Sequence, residues 1–236
     1  MLTPSSNTVL EPMVAQMLRY LPNVTAHFSR FPVKEILLNS DALDQFSLDG
    51  ILNAAALLAD ANVHVIGWNG TSASWLGFDH DEKLCSIITE RHGVPATSAV
   101  LAINEILDIA GAQRIAMVTP YVDDVQDQIL KVYEDAGYSC VAESHAGEHI
   151  NYAFAEISED EITRAVREVA DAKPDAIVIM CTNLRGARMA HQLEQETGIM
   201  IVDSIAAFVW KAVRQAGVDP QRLDRWGRMF SFEMVV

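Results

Sequence analysis

The chain has 236 residues, half of them hydrophobic, and carries a formal net charge of −15 at pH 7. This composition predicts a packed core in one large domain or two small ones, and the negative charge excludes a nucleic-acid partner, whose phosphates require a basic surface. Apolar runs of at most about ten residues exclude a membrane span, while the absence of an export signal and three widely spaced cysteines predict a reduced, cytoplasmic protein.

Strand-like apolar runs alternate with amphipathic helical stretches along the chain. Strands are predicted at Val24–Phe31, Val63–Trp68, Arg114–Thr119, Tyr138–Ala142, Ala176–Cys181 and Met200–Asp203. Helices are predicted at Asn7–Tyr20, Leu48–Asp60, Asp81–His92, Ala99–Ala110, Asp123–Ala136, Glu159–Asp171, Gly186–Glu196 and Ile205–Ala216. The alternation predicts an α/β fold with mainly parallel sheets and helices on both faces of each sheet.

Three short segments each have a similar counterpart later in the chain, in the same order and at offsets of roughly 105–116 residues. The pairs are Thr3-Pro4-Ser5-Ser6-Asn7 with Thr119-Pro120-Tyr121, Gly70-Thr71-Ser72 with Cys181-Thr182-Asn183, and Gly93–Ser98 with Gly198–Ser204. The repeat predicts two pseudo-symmetric three-layer halves that face each other across one site. We place the first half at residues 1–100 and the second at residues 101–204, with the helical region 205–236 returning to the first half. Met1-Leu2 lead directly into Thr3-Pro4, which indicates a first strand truncated at its start.

Cys181 is the leading candidate for chemistry, because it ends a buried strand pattern and precedes polar residues and a helical run. Ligands of open α/β sheets bind at the carboxyl ends of strands, and a helix N-terminus biases a thiol toward thiolate. The alternative is a buried, inert cysteine. Its counterpart in the repeat is Gly70, so the predicted site has a thiol on one side only. Cys85 and Cys140 fall inside helix and strand patterns and are predicted to be core thiols.

Neutral polar side chains occupy the other predicted strand-to-helix turns. Asn7 stands at the first turn with Ser5, Ser6 and Thr8, while the later turns carry Thr71, Ser72 and Tyr121. Short hydroxyl and amide groups beside free helix N–H groups suit a carboxylate, although capping of the helix alone also explains them. If the turns converge, this negatively charged protein would hold an anion and a developing enolate with neutral donors.

The segment from His145 to His149 matches the letters of an H-x-x-E-H zinc motif, which requires both histidines on one helix face. Gly147 and the preceding strand pattern favour a polar loop, so no metal site is predicted. The sequence has no G-x-G-x-x-G, Walker A or G-x-S-x-G motif, and it therefore predicts no nucleotide cofactor. Arg185 and Arg188 either contact an anion near Cys181 or, as is usual for arginine, are solvated.

Four segments of the chain resemble the Asp/Glu racemase superfamily, in its maleate cis–trans isomerase and arylmalonate decarboxylase branch. They are Thr3-Pro4-Ser5-Ser6-Asn7-Thr8, Trp68-Asn69-Gly70-Thr71-Ser72, Thr119-Pro120-Tyr121 and Met180-Cys181-Thr182-Asn183. The resemblance covers nearly the whole chain and implies a cofactor-independent protein with its active site in the cleft between two pseudo-symmetric α/β halves. It also implies a C-terminal helix that packs on the first half. The opening segments resemble a subgroup associated with ectoine utilisation.

The resemblance also implies roles for individual residues. Racemases and maleate isomerases of this group have two facing cysteines, whereas arylmalonate decarboxylases have a glycine followed by Thr-Ser at the first position, as at Gly70. By this resemblance Cys181 would deliver a proton, and the substrate-binding set would be Asn7, Gly70, Thr71, Ser72, Tyr121, Asn151, Thr182 and Asn183. The run Thr182-Asn183-Leu184-Arg185 departs from the glycine-rich segment of the decarboxylases, which leaves the substrate open.

Racemisation requires an acid and a base on opposite faces of one carbon, whereas decarboxylation generates its own carbanion and needs one proton donor. We therefore expect an enzyme that acts at a carbon α to a carboxylate through an enediolate, most simply an arylmalonate-type decarboxylase. A maleate cis–trans isomerase or amino-acid racemase, and an inactive carboxylate-binding protein, stay open as alternatives. The expected partner is a small carboxylate, without membrane contact, and a homo-oligomer is left open. Trp68, Trp75 and Phe78 would either supply apolar surface for carbon dioxide loss or pack in the core, the reading we favour for Trp68.

Overall fold

Two parallel four-stranded sheets, flanked by helices, form the framework of the protein. The computed structural model describes residues 1–46 and 48–233. The strands are β1 Leu2–Pro4, β2 Ser29–Phe31, β3 Ile66–Trp68, β4 Ala96–Ser98, β5 Arg114–Thr119, β6 Ser139–His145, β7 Ala176–Ile179 and β8 Met200–Asp203. Their spatial orders are β2-β1-β3-β4 and β6-β5-β7-β8, so both sheets have the same topology. This equivalence confirms the two pseudo-symmetric α/β halves predicted from the repeat.

Eight helices lie where the periodicity predicts them, with bounds that shift by a few residues, and two short helices at Ser40–Asp44 and Ala73–Leu76 were not predicted. The helices are α1 Leu10–Leu18, α2 Ser40–Asp44, α3 Leu48–Ala59, α4 Ala73–Leu76, α5 Phe78–His92, α6 Ala99–Ala110, α7 Asp123–Asp135, α8 Glu159–Ala170, α9 Ala187–Thr197 and α10 Ser204–Gln215. Short 3₁₀ segments occupy Ala153–Glu156, Pro220–Trp226 and Arg228–Ser231. Gly93 and Gly198 end α5 and α9 with φ of 67° and 73°, a left-handed conformation that glycine adopts without strain.

The strands of the first sheet are shorter than their sequence pattern predicts. β1 has three residues against six in β5, in line with the shortened first strand expected at this position. Leu2 pairs with Ser29, so the apolar residues before Ser29 have no partner in β1 and the predicted strand from Val24 forms only at its end. The three-residue β4 was not predicted as a strand, because it is too short to show an apolar run.

The C-terminal helix lies between the halves. α10 contacts α1, β3, β4 and α6, and it also contacts β8 and α9. The contacts with α1 and the first sheet agree with the expectation that the C-terminal region packs on the first half. The division of the chain at residues 100 and 204 stays a prediction. Of the helices in the described part of the chain, none combines the length and the apolar character needed to cross a membrane.

Candidate active site

A small cavity lies at the carboxyl ends of the central strands, where the turns of both halves meet. Its volume is about 20 Å³, which is room for about one water molecule. The polar or small residues at its wall are Pro4, Gly70, Thr71, Ser72, Tyr121, Asn151, Cys181 and Thr182. Seven of the predicted site residues thus line one cavity, as convergence of the turns requires. The other two, Asn7 and Asn183, lie behind this wall and bond to it.

Cys181 is a buried thiol, with 3% of its surface exposed. Burial raises the pKa of the Cys181 thiol to about 12, although hydrogen bonds from the Asn183 N–H and the Tyr121 hydroxyl act in the opposite direction. The Asn183 N–H lies 3.3 Å from Sγ. A helix N-terminus biases a thiol toward thiolate, but α9 begins at Ala187, six residues beyond Cys181. Desolvation therefore outweighs the dipole, and Cys181 is a neutral thiol at pH 7.

A hydroxyl pair from the two halves stands beside this thiol. The Thr71 Oγ1 and Tyr121 hydroxyl oxygens are 2.7 Å apart and share a hydrogen bond. Burial raises the pKa of Tyr121 well above its ordinary value, so the phenol stays neutral. The Tyr121 ring packs edge-on against Trp75 and Phe154, with centroid separations of 5.3 and 5.5 Å. These contacts fix the direction of the hydroxyl before any ligand binds.

Apolar side chains form the remaining wall of the cavity. They are Val33, Ile36 and Phe46 from the segment before α3, together with Trp68 and Trp75. Trp68 and Trp75 are buried, so each is at once a core residue and a lining residue. Phe78 packs against Tyr133 instead and does not line this cavity. The sequence carried no signal for the lining segment 33–46, since its residues follow no strand pattern.

Asn7 and Asn183 connect the halves through their side-chain amides. The Asn7 Nδ2 donates to the Thr182 carbonyl at 3.0 Å and to its Oγ1 at 3.2 Å, while Oδ1 accepts from the Val9 and Leu10 N–H groups at the start of α1. The Asn183 Oδ1 accepts from the Thr8 and Val9 N–H groups at 3.0 and 3.2 Å. Its Nδ2 donates to the Asn151 carbonyl at 2.5 Å. In this structure these amides are therefore paired with protein groups.

Asn183→Ala is expected to lower the free energy of unfolding by about 3 kcal/mol, because it leaves the Thr8 N–H and the Asn151 carbonyl without partners, while the Val9 N–H keeps its bond to the Asn7 Oδ1. For a protein of this size the loss corresponds to a fall in Tm of about 10 °C, measured by differential scanning calorimetry. The matched control is Asn104→Ala, which removes one partly buried bond from the Tyr133 hydroxyl. Equal Tm values for the two variants would show that Asn183 does not join the halves.

Asp203 is a buried carboxyl near Cys181 that the sequence analysis did not single out. Its Oδ1 accepts from the Ile205 and Ala206 N–H groups and so caps α10. Its Oδ2 has no hydrogen-bond partner within the described residues. Burial raises the pKa of Asp203 to about 7. A charged Asp203 in turn raises the pKa of Cys181, which favours the neutral thiol.

The raised pKa of Asp203 predicts that stability falls as the pH rises. The folded pKa of about 7 lies above the ordinary value of 3.8, so the folded state prefers the neutral acid. Between pH 5 and pH 8 the free energy of unfolding should fall by about 2–3 kcal/mol from this group. Asp203→Asn keeps a cap acceptor and should remove this fall, measured by urea unfolding at both pH values. Burial also raises the pKa values of Asp81 and Glu194, but both residues are present in the wild type and in Asp203→Asn. Their contributions to the pH dependence therefore cancel when the two proteins are compared.

The control for this measurement is Asp219→Asn. Asp219 also caps a helical segment, through the Gln221 N–H, but its side chain is exposed. This variant should retain the fall in stability of the wild type. A protein with Asp203→Asn that still loses the same stability between pH 5 and pH 8 would contradict a raised Asp203 pKa.

The segment from His145 to His149 is a loop, as predicted, with His145 as the last residue of β6 and Gly147 at φ 72°. His145 is bonded to Glu143 and Asp123 at 2.8 and 3.0 Å. Within residues 1–46 and 48–233, no group of three histidine, cysteine or acidic side chains is arranged to hold a metal ion.

The remaining cysteines and the nearby arginine are not at the cavity. Cys85 is buried in α5 and Cys140 is half-buried in β6, and burial raises the pKa of both thiols, to about 12 and about 11. Arg188 is exposed and bonded to Gln16 and Glu159. Cys85 is therefore a core thiol, Cys140 is a half-buried thiol packed against the core, and Arg188 is a solvated arginine.

Comparison with known proteins connects this cavity to a family. A family model described as arylmalonate decarboxylase matches residues 34–230. The arylmalonate decarboxylase of Bordetella bronchiseptica is 25% identical over 186 residues, which cover 78% of each chain. The maleate isomerase of Pseudomonas putida is 23% identical over 232 residues, covering 93% of this chain and 91% of the relative.

A solved structure has the same fold at low sequence identity. It is the Nocardia farcinica maleate cis–trans isomerase, as a cysteine-to-serine mutant with a covalently bound succinylcysteine intermediate. The two structures agree with a TM-score of 0.86 and 20% identity, over 97% of this chain and 96% of that chain. This likeness establishes the shared architecture, while membership rests on the family match, which spans well over half of the sequence. The chain belongs to the arylmalonate decarboxylase family, whose relatives include decarboxylases and isomerases.

Proposed function

We propose that this protein is a cofactor-independent decarboxylase of small malonate-type dicarboxylates, with Cys181 as the proton donor. The observation that carries the proposal is a neutral, buried thiol whose pseudo-symmetric counterpart is Gly70. A single donor on one face suffices for decarboxylation, because loss of carbon dioxide itself generates the carbanion. The matching relative from Bordetella bronchiseptica is an arylmalonate decarboxylase, which supports the same reaction class.

In the proposed reaction the bond between the α-carbon and one carboxylate breaks. The electron pair of that bond moves into an enediolate formed with the second carboxylate, and carbon dioxide leaves. The α-carbon then takes the proton of the Cys181 thiol, which becomes a thiolate and regains a proton from water. A thiol whose pKa burial raises to about 12 stays protonated until the basic enediolate forms. The Asn183 N–H, 3.3 Å from Sγ, stabilises the transient thiolate.

Neutral hydroxyls are proposed to hold the enediolate oxygens. Thr71 and Tyr121 share one hydrogen bond and can direct the remaining hydroxyl hydrogen at an oxyanion. The Ser72 Oγ accepts from the Trp68 Nε1 at 3.3 Å, which leaves the serine hydrogen available to donate. Donors that are fixed before the reaction stabilise developing charge without reorganisation, and they act strongly in a buried site. Asn151 also lines the cavity and donates to the Ser6 Oγ at 2.7 Å, so it is proposed to order this wall.

The apolar wall is proposed to receive the carboxylate that is lost. Val33, Ile36 and Phe46 offer that carboxylate no hydrogen-bond donors, so its charge is poorly solvated and its conversion to neutral carbon dioxide is favoured. A cavity of about 20 Å³ does not hold a dicarboxylate. Part of the wall therefore has to move outward when the substrate binds, and we assign this movement to the segment that carries these three side chains.

The second candidate function is maleate isomerisation. It is supported by the match to the Pseudomonas putida maleate isomerase, and by the fold shared with an isomerase that was captured with succinylcysteine. Covalent attack by cysteine requires a thiolate, which is the nucleophilic form. Burial raises the pKa of Cys181 and disfavours that form at rest. The geometry therefore favours decarboxylation, and a carboxylate-binding protein without turnover is the third candidate.

The test is incubation in deuterium oxide with a panel of malonates, maleate and acidic amino acids, followed by proton NMR. Decarboxylation predicts loss of one carboxylate with a single deuteron at the α-carbon, and Cys181→Ala should stop it. Conversion of maleate to fumarate, or exchange at the α-carbon without carbon dioxide release, would replace the proposal with an isomerase. Carboxylate binding without turnover, unchanged in Cys181→Ala, would replace it with a binding protein.

A further inference from the structure

The space beside Gly70 is occupied by another side chain. A Cβ atom built on Gly70 would lie 2.1 Å from the Trp68 Cζ2, 2.3 Å from Cη2 and 2.6 Å from Cε2. These separations are far below van der Waals contact between carbon atoms, which is about 3.5–4.0 Å. The conflict is with a large indole ring, which fills the volume that any side chain at position 70 would need.

The Trp68 ring is held in this place by its surroundings. Trp68 is the last residue of β3 and is 1% exposed. Its Nε1 donates to the Ser72 Oγ at 3.3 Å, and its ring packs on Phe31 with a centroid separation of 5.1 Å. The ring also lines the cavity together with Gly70 and Cys181. Moving it aside would break the hydrogen bond and leave a void in the core.

We propose that Trp68 is a specificity-determining residue, which keeps the site one-sided by filling the position of the pseudo-symmetric counterpart of Cys181. This inference rests on the proposed function. A second acid or base at position 70 would allow proton transfer on both faces of the α-carbon and hence racemisation. Because the indole takes that volume, Gly70→Cys alone does not place a second thiol opposite Cys181. Gly70→Cys combined with Trp68→Ala does place one there.

The steric part is tested by a thermal-unfolding cycle that needs no substrate. Gly70→Ala should lower Tm by about 5 °C, because it overpacks a held ring. In a Trp68→Ala background, the same change should lower Tm by less than about 1 °C, since the space is then open. The matched control is Gly50→Ala in α3, where a Cβ would meet no heavy atom within 4 Å. A Gly70→Ala protein as stable as Gly50→Ala would overturn the proposal.

The functional part is tested with one enantiomer of 2-phenylpropionate in deuterium oxide, read by chiral chromatography and proton NMR. The double variant Trp68→Ala/Gly70→Cys should racemise this acid at least about tenfold faster than either single variant. Trp68→Leu, which keeps apolar bulk without the six-membered ring, is the second background in case Trp68→Ala fails to fold. Racemisation by Gly70→Cys alone at the rate of the double variant would overturn the proposal.

The proposed function is tested separately, by measuring whether the wild type releases carbon dioxide from malonates. A wild type that decarboxylates no malonate while the Tm cycle behaves as expected would overturn the decarboxylase and leave the place of Trp68 supported. A wild type that decarboxylates, with double variants in both backgrounds that do not racemise, would overturn the role of Trp68 alone.

Discussion

Cys181→Ala is expected to lower kcat for malonate decarboxylation by about 10³-fold or more, at the upper part of the range for loss of a positioned general acid. The reason is that Cys181 is the single thiol at the cavity wall among the described residues, and its neighbours Thr71 and Tyr121 are held in a mutual hydrogen bond. The fold should persist, because a buried thiol replaced by alanine loses few contacts. The measurement is carbon dioxide release under substrate saturation, with circular dichroism to establish folding.

The controls for this prediction are the two other thiols. Cys85 lies in α5 and Cys140 in β6, and neither lines the cavity. Cys85→Ala and Cys140→Ala should keep kcat within about threefold of the wild type, apart from any loss of folded protein. Full activity in Cys181→Ala would remove this residue from the reaction and with it the proposed mechanism.

Removing the hydroxyl of either Thr71 or Tyr121 should also lower kcat strongly. Thr71→Val and Tyr121→Phe each keep the shape of the side chain and remove one donor, and each should lower kcat by about 10²–10³-fold. KM should change much less, because the donors act mainly on the charge that develops in the enediolate. The effects of the two changes should not add, since the oxygens lie 2.7 Å apart and orient each other. Saturation kinetics of the two single variants and the double variant measure this coupling.

Tyr133→Phe is the matched control for the loss of a buried tyrosine hydroxyl. Its hydroxyl donates to the Asn104 Oδ1 at 3.0 Å, away from the cavity. This change should affect stability and leave kcat unchanged. A Tyr121→Phe protein with the kcat of Tyr133→Phe would contradict the assignment of Tyr121 to the oxyanion.

Much of the fold follows from local pattern, and the exceptions have a physical cause. The strand predicted at Arg114–Thr119 is found with the same bounds, because its six residues include an uninterrupted buried apolar run. The first sheet was less predictable, since β1 and β4 have three residues each. Strands this short are defined by their neighbours in the sheet, and those pairings lie far apart in sequence.

The candidate site divides in the same way. Gly70, Thr71, Tyr121 and Cys181 could be found from sequence, because residues that follow parallel strands meet at one edge of the sheet. The protonation state of these residues could not be predicted from the sequence. The sequence left the protonation of Cys181 open, whereas in the structure burial raises the thiol pKa to about 12. Asp203 was missed because it ends a short strand pattern and its effect on Cys181 acts through space.

The sequence by itself determined the α/β architecture, the repeat and the presence of a thiol at Cys181 but not at its counterpart Gly70, because periodicity and order are properties of the chain. Only the tertiary structure decided that the side chains of Asn7 and Asn183 each form hydrogen bonds to the opposite half. It alone also decided that Trp68 fills the space beside Gly70. Protonation, hydrogen-bond pairing and free volume depend on which distant groups exclude water from a residue, and that is settled when the two halves pack together.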